Sequence, residues 1–135
     1  MRREAGAGGR RAAQPSPDTR MEKGCVFCDI AAGKLPADMV YSDERVIMVK
    51  DIHPRAPVHH LVIPRAHIPT LNEALPEHKE LLGHMVYVAT EQAKKEGLAP
   101  RGYRLVVNCG QEGGQLVPHL HLHLLGGRRL SAAIG

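Results

Sequence analysis

The sequence predicts a single α+β domain: a mainly antiparallel five-stranded sheet, one long helix and a short N-terminal helix. Three observations carry this. The chain has 135 residues, within the ~100–200 usual for one domain. Only residues 75–96 sustain an apolar period near 3.6 over several turns. Around that segment lie five short apolar stretches of strand length, arranged as a meander, then the helix, then more strands. That order indicates an antiparallel sheet rather than repeated βαβ units. No internal repeat is visible.

Residues 1–22 differ in texture from the rest. They hold five Arg, three Gly and two Pro, and no Ile, Leu, Val, Phe or Tyr. Such a segment cannot bury enough surface to offset its ordering entropy and is expected to be a disordered tail, or sequence preceding a true start at Met21. It lacks the apolar stretch of a secretion signal, and its Arg content alone leaves a transit peptide conceivable. The domain is expected over 23–135.

From Cys25 the pattern is dense. Val26, Phe27, Ile30 and Ala31 have helical spacing, and Gly33 suits the C′ position of a short helix. Residues 39–41 and 46–49 read as strands joined at Ser42-Asp43-Glu44, a hairpin-type connection, and 59–64 as a third strand. In the long helix, Leu82, Met85, Val86, Ala89 and Ala93 form the expected apolar stripe. Pro76 suits its first turn, and Lys94, Lys95 and Gly97 its end. Residues 103–108 and 119–125 complete the strands.

Composition excludes several roles. Lys+Arg 18 against Asp+Glu 14 gives a net charge of +4, too little for a dedicated nucleic-acid binder. With no Trp, one Phe and three Tyr, an aromatic platform for base stacking is absent. No apolar run approaches the ~18 residues of a membrane span. Three Cys do not make a disulfide framework, which favours a reducing, cytoplasmic setting. The excess is in histidine, nine in the chain.

His119, His121 and His123 alternate with Leu120, Leu122 and Leu124. On a strand this places three imidazoles on one face, roughly 6.5–7 Å apart, with the leucines on the other. A polar outer face explains alternation but not the choice of His, a group that titrates near neutral pH. Two chemistries fit: a metal site, or nucleophilic catalysis at phosphorus in which one imidazole attacks and others orient it and assist the leaving group. Gly113-Gly114-Gln115 can offer backbone N–H groups to an anion. His59 adds another imidazole, and Asp51 can accept from sugar hydroxyls.

HLHLHLL at 119–125 resembles the signature of the histidine triad (HIT) superfamily. Residues 35–68, GGQ at 113–115 and LLGGR at 124–128 resemble its Hint branch, the nucleoside phosphoramidases. The resemblance spans residues 25–129. It implies the HIT fold, a homodimer, a purine nucleotide ligand of AMP type, and hydrolysis of nucleoside 5′-phosphoramidates through a nucleotidyl-histidine. By position, His121 matches the nucleophile, its ring oriented by a hydrogen bond to backbone of its own strand. His123 matches a phosphate contact near the leaving group, and His59 and His119 match supporting histidines. Asp51 matches the ribose acceptor, and Asn108, Gly114 and Gln115 the phosphate lining. Val26, Phe27, Ile30, Ile52 and Leu61 match the slot for the base. No cofactor is implied for the reaction itself.

Three departures stand out. Leu116 replaces a Ser that contacts phosphate in animal members, Val49 replaces an aromatic under the base, and the C-terminal tail lacks their Trp. Cys25 and Cys28 form a C-x-x-C of the kind seen in bacterial HIT proteins, where it binds a structural zinc. The matching ligands here are Cys25, Cys28, His67 and His119, an ordinary closed set for that metal. A redox pair or two free thiols are the alternatives, and no βαβ pattern supports the former. Cys109 reads as a small buried apolar residue, and His53, His60, His78 and His84 as surface or packing residues. Other functions compatible with these residues are a nucleotide-binding module with incidental turnover, a zinc hydrolase ligated by the triad, and a dinucleoside polyphosphate hydrolase.

Overall fold

The computed structural model describes residues 24–135; the tail expected over residues 1–22 lies outside the described residues. Helix α1 (Val26–Ala31) starts where the Cys25 sulfur accepts the Cys28 N–H at 3.3 Å. It ends with Gly33 at φ 79°, the left-handed position that glycine takes without strain. Strands β1 (Met39–Ser42) and β2 (Val46–Lys50) form a hairpin. Its turn is held by the Asp43 carboxylate, which accepts the N–H groups of Arg45 and Val46 at 2.7 and 2.9 Å. Strand β3 (Val58–Pro64) follows, then two 3-10 turns, Leu71–Glu73 and Pro76–His78, and helix α2 (Lys79–Lys95). Strands β4 (Tyr103–Val106) and β5 (Leu122–Gly126) complete the sheet.

All pairings are antiparallel, in the order β1-β2-β3-β5-β4. The last strand therefore inserts between β3 and β4. Successive side chains alternate faces, so β2 feeds two cores. Val46 and Met48 pack under α2 with Val62, Leu120 and Leu122. Ile47 and Val49 pack under α1 with Phe27, Leu61 and Ile63. A strand buried on both faces reads as one unbroken apolar run.

Four element expectations shift. The long segment begins with a 3-10 turn, and regular α-helix starts only at Lys79. Its buried stripe is Leu81, Met85, Val88, Ala89 and Ala93. Val86 is instead 45% exposed, and Leu82 packs at the core margin. Strand β4 stops at Val106, before Asn108. Strand β5 starts at Leu122, because the preceding residues bond elsewhere than to the ladder. The His119 N–H returns to the Val117 carbonyl (2.8 Å), and the Leu120 N–H reaches the Ile68 carbonyl (2.7 Å). The end of α2 is as expected: the Leu98 N–H bonds the Ala93 carbonyl and the Gly97 N–H the Lys94 carbonyl, with Gly97 at φ 75°, a Schellman closure.

Candidate active site

Strand β5 and its lead-in place the alternating residues on two faces. Leu120, Leu122 and Leu124 enter the apolar clusters, while the histidines line the α1 side. Phe27 of α1 meets the rings of His119 and His121 edge-on, with centroids 5.8 and 5.1 Å apart. The His121 and His123 rings are 5.0 Å apart.

Hydrogen bonds to backbone fix the tautomers. A carbonyl can only accept, so His121 donates Nδ1–H to the His119 carbonyl (2.7 Å) and its neutral ring keeps a bare Nε2. An amide N–H can only donate, so His59 Nδ1 accepts the Arg55 N–H (3.0 Å) and its neutral ring carries the proton on Nε2. That Nε2 lies 3.0 Å from His123 Nδ1 and 3.3 Å from an Asp51 carboxylate oxygen. In the sheet register Leu61 faces His123 and His59 faces Leu125, so the two imidazoles meet across a diagonal.

Burial disfavours the charged form of three of these imidazoles. It holds His123 down at about 4, helped by the neighbouring His121 and His59, and holds His119 down at about 4. Burial also lowers His59, against the opposing pull of Asp51. A neutral His119 retains the lone pair that metal ligation requires.

A second cluster adjoins the first. Cys25 Sγ and His67 Nδ1 each lie 3.2 Å from His119 Nδ1. Cys28 Sγ lies 3.3 Å from His67 Nδ1 and 3.6 Å from His119 Nδ1. His119 Nε2–H donates to the Pro64 carbonyl (2.8 Å), so a bare Nδ1 faces the two sulfurs. The outer nitrogen tied to a carbonyl and the inner one free is the usual arrangement of a metal-ligating histidine. These four residues could hold a metal ion.

The profile described as "Scavenger mRNA decapping enzyme C-term binding" matches residues 24–132. A purine nucleoside phosphoramidase of Escherichia coli (strain K12) is 46% identical over 110 residues, 82% of this chain and 92% of that protein. The crystal structure of a HIT family hydrolase from Legionella pneumophila Philadelphia 1 is similar at TM-score 0.81 and 46% identity, covering 83% of this chain and 100% of that one. The chain belongs to the histidine triad family of hydrolases. A zinc-bound HIT family protein from Mycobacterium smegmatis is also similar, at TM-score 0.69 and 33% identity over 78% of this chain and 76% of that one.

Around the HIT histidines, the remaining expected site residues fall into two groups. Phe27, Ile30 and Leu61 lie in one apolar cluster beneath α1; Val26 and Ile52 stay outside it, and Ile52 is 83% exposed. In the loop that follows β4, Asn108 Nδ2 donates to the Gly113 carbonyl (2.7 Å). The Gln115 amide accepts the Gly110 N–H (2.9 Å) and donates to the Pro69 and Val117 carbonyls (2.7 and 2.9 Å). The N–H groups of Gly114 and Gln115 bond the Gln111 and Gly110 carbonyls. These residues therefore shape the loop preceding His119, where the sequence suggested free donors for an anion. Gly113 is required sterically, because a Cβ there would be driven into the Cys109 carbonyl. Cys109, expected to be a small buried residue, is half-buried.

The other histidines serve packing or the surface. His60 turns to the α2 face, 2.6 Å from Glu96, His84 bonds Asp43, His78 accepts the Leu75 N–H, and His53 is exposed. The sequence reading missed the backbone partners Arg55 and Pro64, since backbone groups leave no compositional signal. It also missed Arg128, whose Nη2 donates to the Arg55 carbonyl (2.9 Å). Among the described residues no helix is long and apolar enough to cross a membrane.

Proposed function

We propose that this protein hydrolyses the P–N bond of nucleoside 5′-phosphoramidates of AMP type through a covalent nucleotidyl-His121 intermediate. The observation that carries the reading is the 2.7 Å bond from His121 Nδ1–H to the His119 carbonyl. It ties up Nδ1 and leaves Nε2 as the attacking nitrogen, in a fixed orientation. The relative named a purine nucleoside phosphoramidase supports the substrate class.

In the first half-reaction His121 Nε2 forms a bond to phosphorus and the P–N bond breaks, the departing amine taking up one proton. In the second, water attacks phosphorus, the P–Nε2 bond breaks and one proton is released. Nucleoside monophosphate and amine leave, and the histidines return to their starting state. His123 meets the leaving group, and Asp51 accepts from the ribose hydroxyls. Phe27, Ile30 and Leu61, with Val26 and Ile52 at the rim, receive the purine. Asn108, Gly114 and Gln115 hold the loop that borders the phosphate.

Cys25, Cys28, His67 and His119 would hold a structural zinc. Ligands at about 2.0–2.3 Å define a tetrahedron with edges of roughly 3.3–3.8 Å, close to the spacings found here. Bound there, the ion would cross-link α1 to the start of the triad. The protein is read as a cytoplasmic homodimer. Edge strand β4 is open to pairing, and α2 exposes Val86 and the 61%-exposed Tyr87.

The test is hydrolysis of a fluorogenic adenosine phosphoramidate by the protein and by His121→Ala, with and without chelator. Turnover that survives chelation and disappears in His121→Ala is expected. AMP binding without turnover in the unaltered protein would replace this reading with that of a binding module.

A further inference from the structure

Asp51, His59 and His123 form a second group whose ligand atoms lie close enough for a metal ion, yet their hydrogen bonds suit a proton. A metal on His59 Nε2 would force the ring's proton onto Nδ1. There it would oppose the Arg55 N–H that already points at that nitrogen from 3.0 Å. At His119 the equivalent bond runs to a carbonyl and leaves the inward nitrogen bare. Two neighbouring clusters, each built on a pair of imidazoles, are thus distinguished by one backbone group each: a carbonyl that frees a lone pair, and an amide that fixes an N–H.

We infer that the Arg55 backbone amide, held in place by Arg128, sets the tautomers of His59 and His123 so that His123 presents Nε2–H, a fixed donor, to the leaving group. This rests on the phosphoramidase reading above. With its proton confined to Nε2, His59 donates to His123 Nδ1 at 3.0 Å. That nitrogen of His123 is then an acceptor, and the neutral ring's proton resides on Nε2. The guanidinium of Arg128 donates through Nη2 to the Arg55 carbonyl and through Nη1 to the Arg129 carbonyl, both at 2.9 Å. It pins the turn before β3 to the chain beyond β5. Arg55 and Arg128 are exposed, so their contribution is to geometry and not to the core. Both are positioning residues, acting on the substrate only through His59 and His123.

A donor that stabilises charge on the departing atom matters most for poor leaving groups. The test compares an alkylamine phosphoramidate of AMP with the p-nitrophenyl ester of AMP, whose leaving group needs no donor. Arg55→Pro removes the amide proton, and Arg55→Ala keeps it. Arg55→Pro is expected to slow kcat on the alkylamine substrate by about 10²-fold while changing the ester reaction only a few-fold. Arg55→Ala should show the leaving-group dependence of the unaltered protein, and Arg128→Met a smaller loss of the same selective kind.

Long-range 1H–15N correlation of the histidine rings provides a readout independent of activity. His59 and His123 should both be Nε2–H tautomers in the unaltered protein, and His59 should lose that preference in Arg55→Pro. An Nδ1–H His59 in the unaltered protein, or equal slowing of both substrates in a folded Arg55→Pro, would overturn the inference. Failure of the underlying reading is distinguishable: the unaltered protein itself would then form no nucleotidylated His121 with either substrate.

Discussion

The sulfur of Cys25 lies 3.2 Å from Nδ1 of His119, 94 residues further along the chain. His119 thereby belongs to two sites at once, since its carbonyl also orients the His121 ring. The cysteine cluster and the orientation of the nucleophile thus meet in a single residue.

Protein purified without chelator is expected to carry one equivalent of zinc by elemental analysis, and Cys28→Ser to carry none. Loss of the ion should lower Tm by roughly 10 °C, the shift corresponding to about 2 kcal/mol in a domain of this size. Metal-free protein with an unchanged Tm after chelation would refute the assignment.

Acid should destabilise the protein through His123. Burial holds its folded-state pKa at about 4, below the ordinary 6.5. The unfolded chain therefore takes up a proton that the native state refuses as pH falls between those values. Stability from this group is complete above about pH 6.5 and declines toward pH 4. Urea midpoints measured across that window should fall with pH, and fall less steeply for His123→Gln. Parallel curves for the two proteins would contradict the sign or the residue.

Gln115 is expected to behave as a loop-holding residue. Its amide satisfies three backbone groups, so Gln115→Ala should cost about 1–3 kcal/mol in urea unfolding. A fully stable variant that loses only nucleotide affinity would instead make Gln115 a direct phosphate contact.

Much of this molecule was legible in the sequence. The α+β class and the five strands followed from periodicity, because β2 and β3 are buried runs with few polar interruptions. The His/Leu alternation correctly divided residues 119–124 between two faces. The face of α2 was less legible: Leu82 and Val86 fit the helical period as well as Leu81 and Val88 do. Only the packing of β3 and β5 against the helix selects between them. At the site, side-chain identities could be read, but the tautomers could not. They depend on the Arg55 amide and the Pro64 and His119 carbonyls, which every sequence possesses and only a fold can aim.

The homodimer reading has its own check. Tyr87→Glu places a charge on the exposed surface of α2 and should shift sedimentation from dimer to monomer. An unaltered monomeric mass for the starting protein would remove that reading.

The strand order β1-β2-β3-β5-β4 also bears on how the protein is made. A ribosome delivers β4 before β5, yet β4 has no place in the sheet until β5 has paired with β3. Closure must await residues 122–126, across a long loop whose ordering is slow to be repaid. The residues that complete the fold thus include His123 and immediately follow His121. A nascent chain stalled short of β5 should show the β1–β2–β3 meander and helix α2 with β4 still unjoined to the sheet, and no capacity for nucleotidyl transfer. Fold and chemistry are therefore completed together, by the strand that joins last.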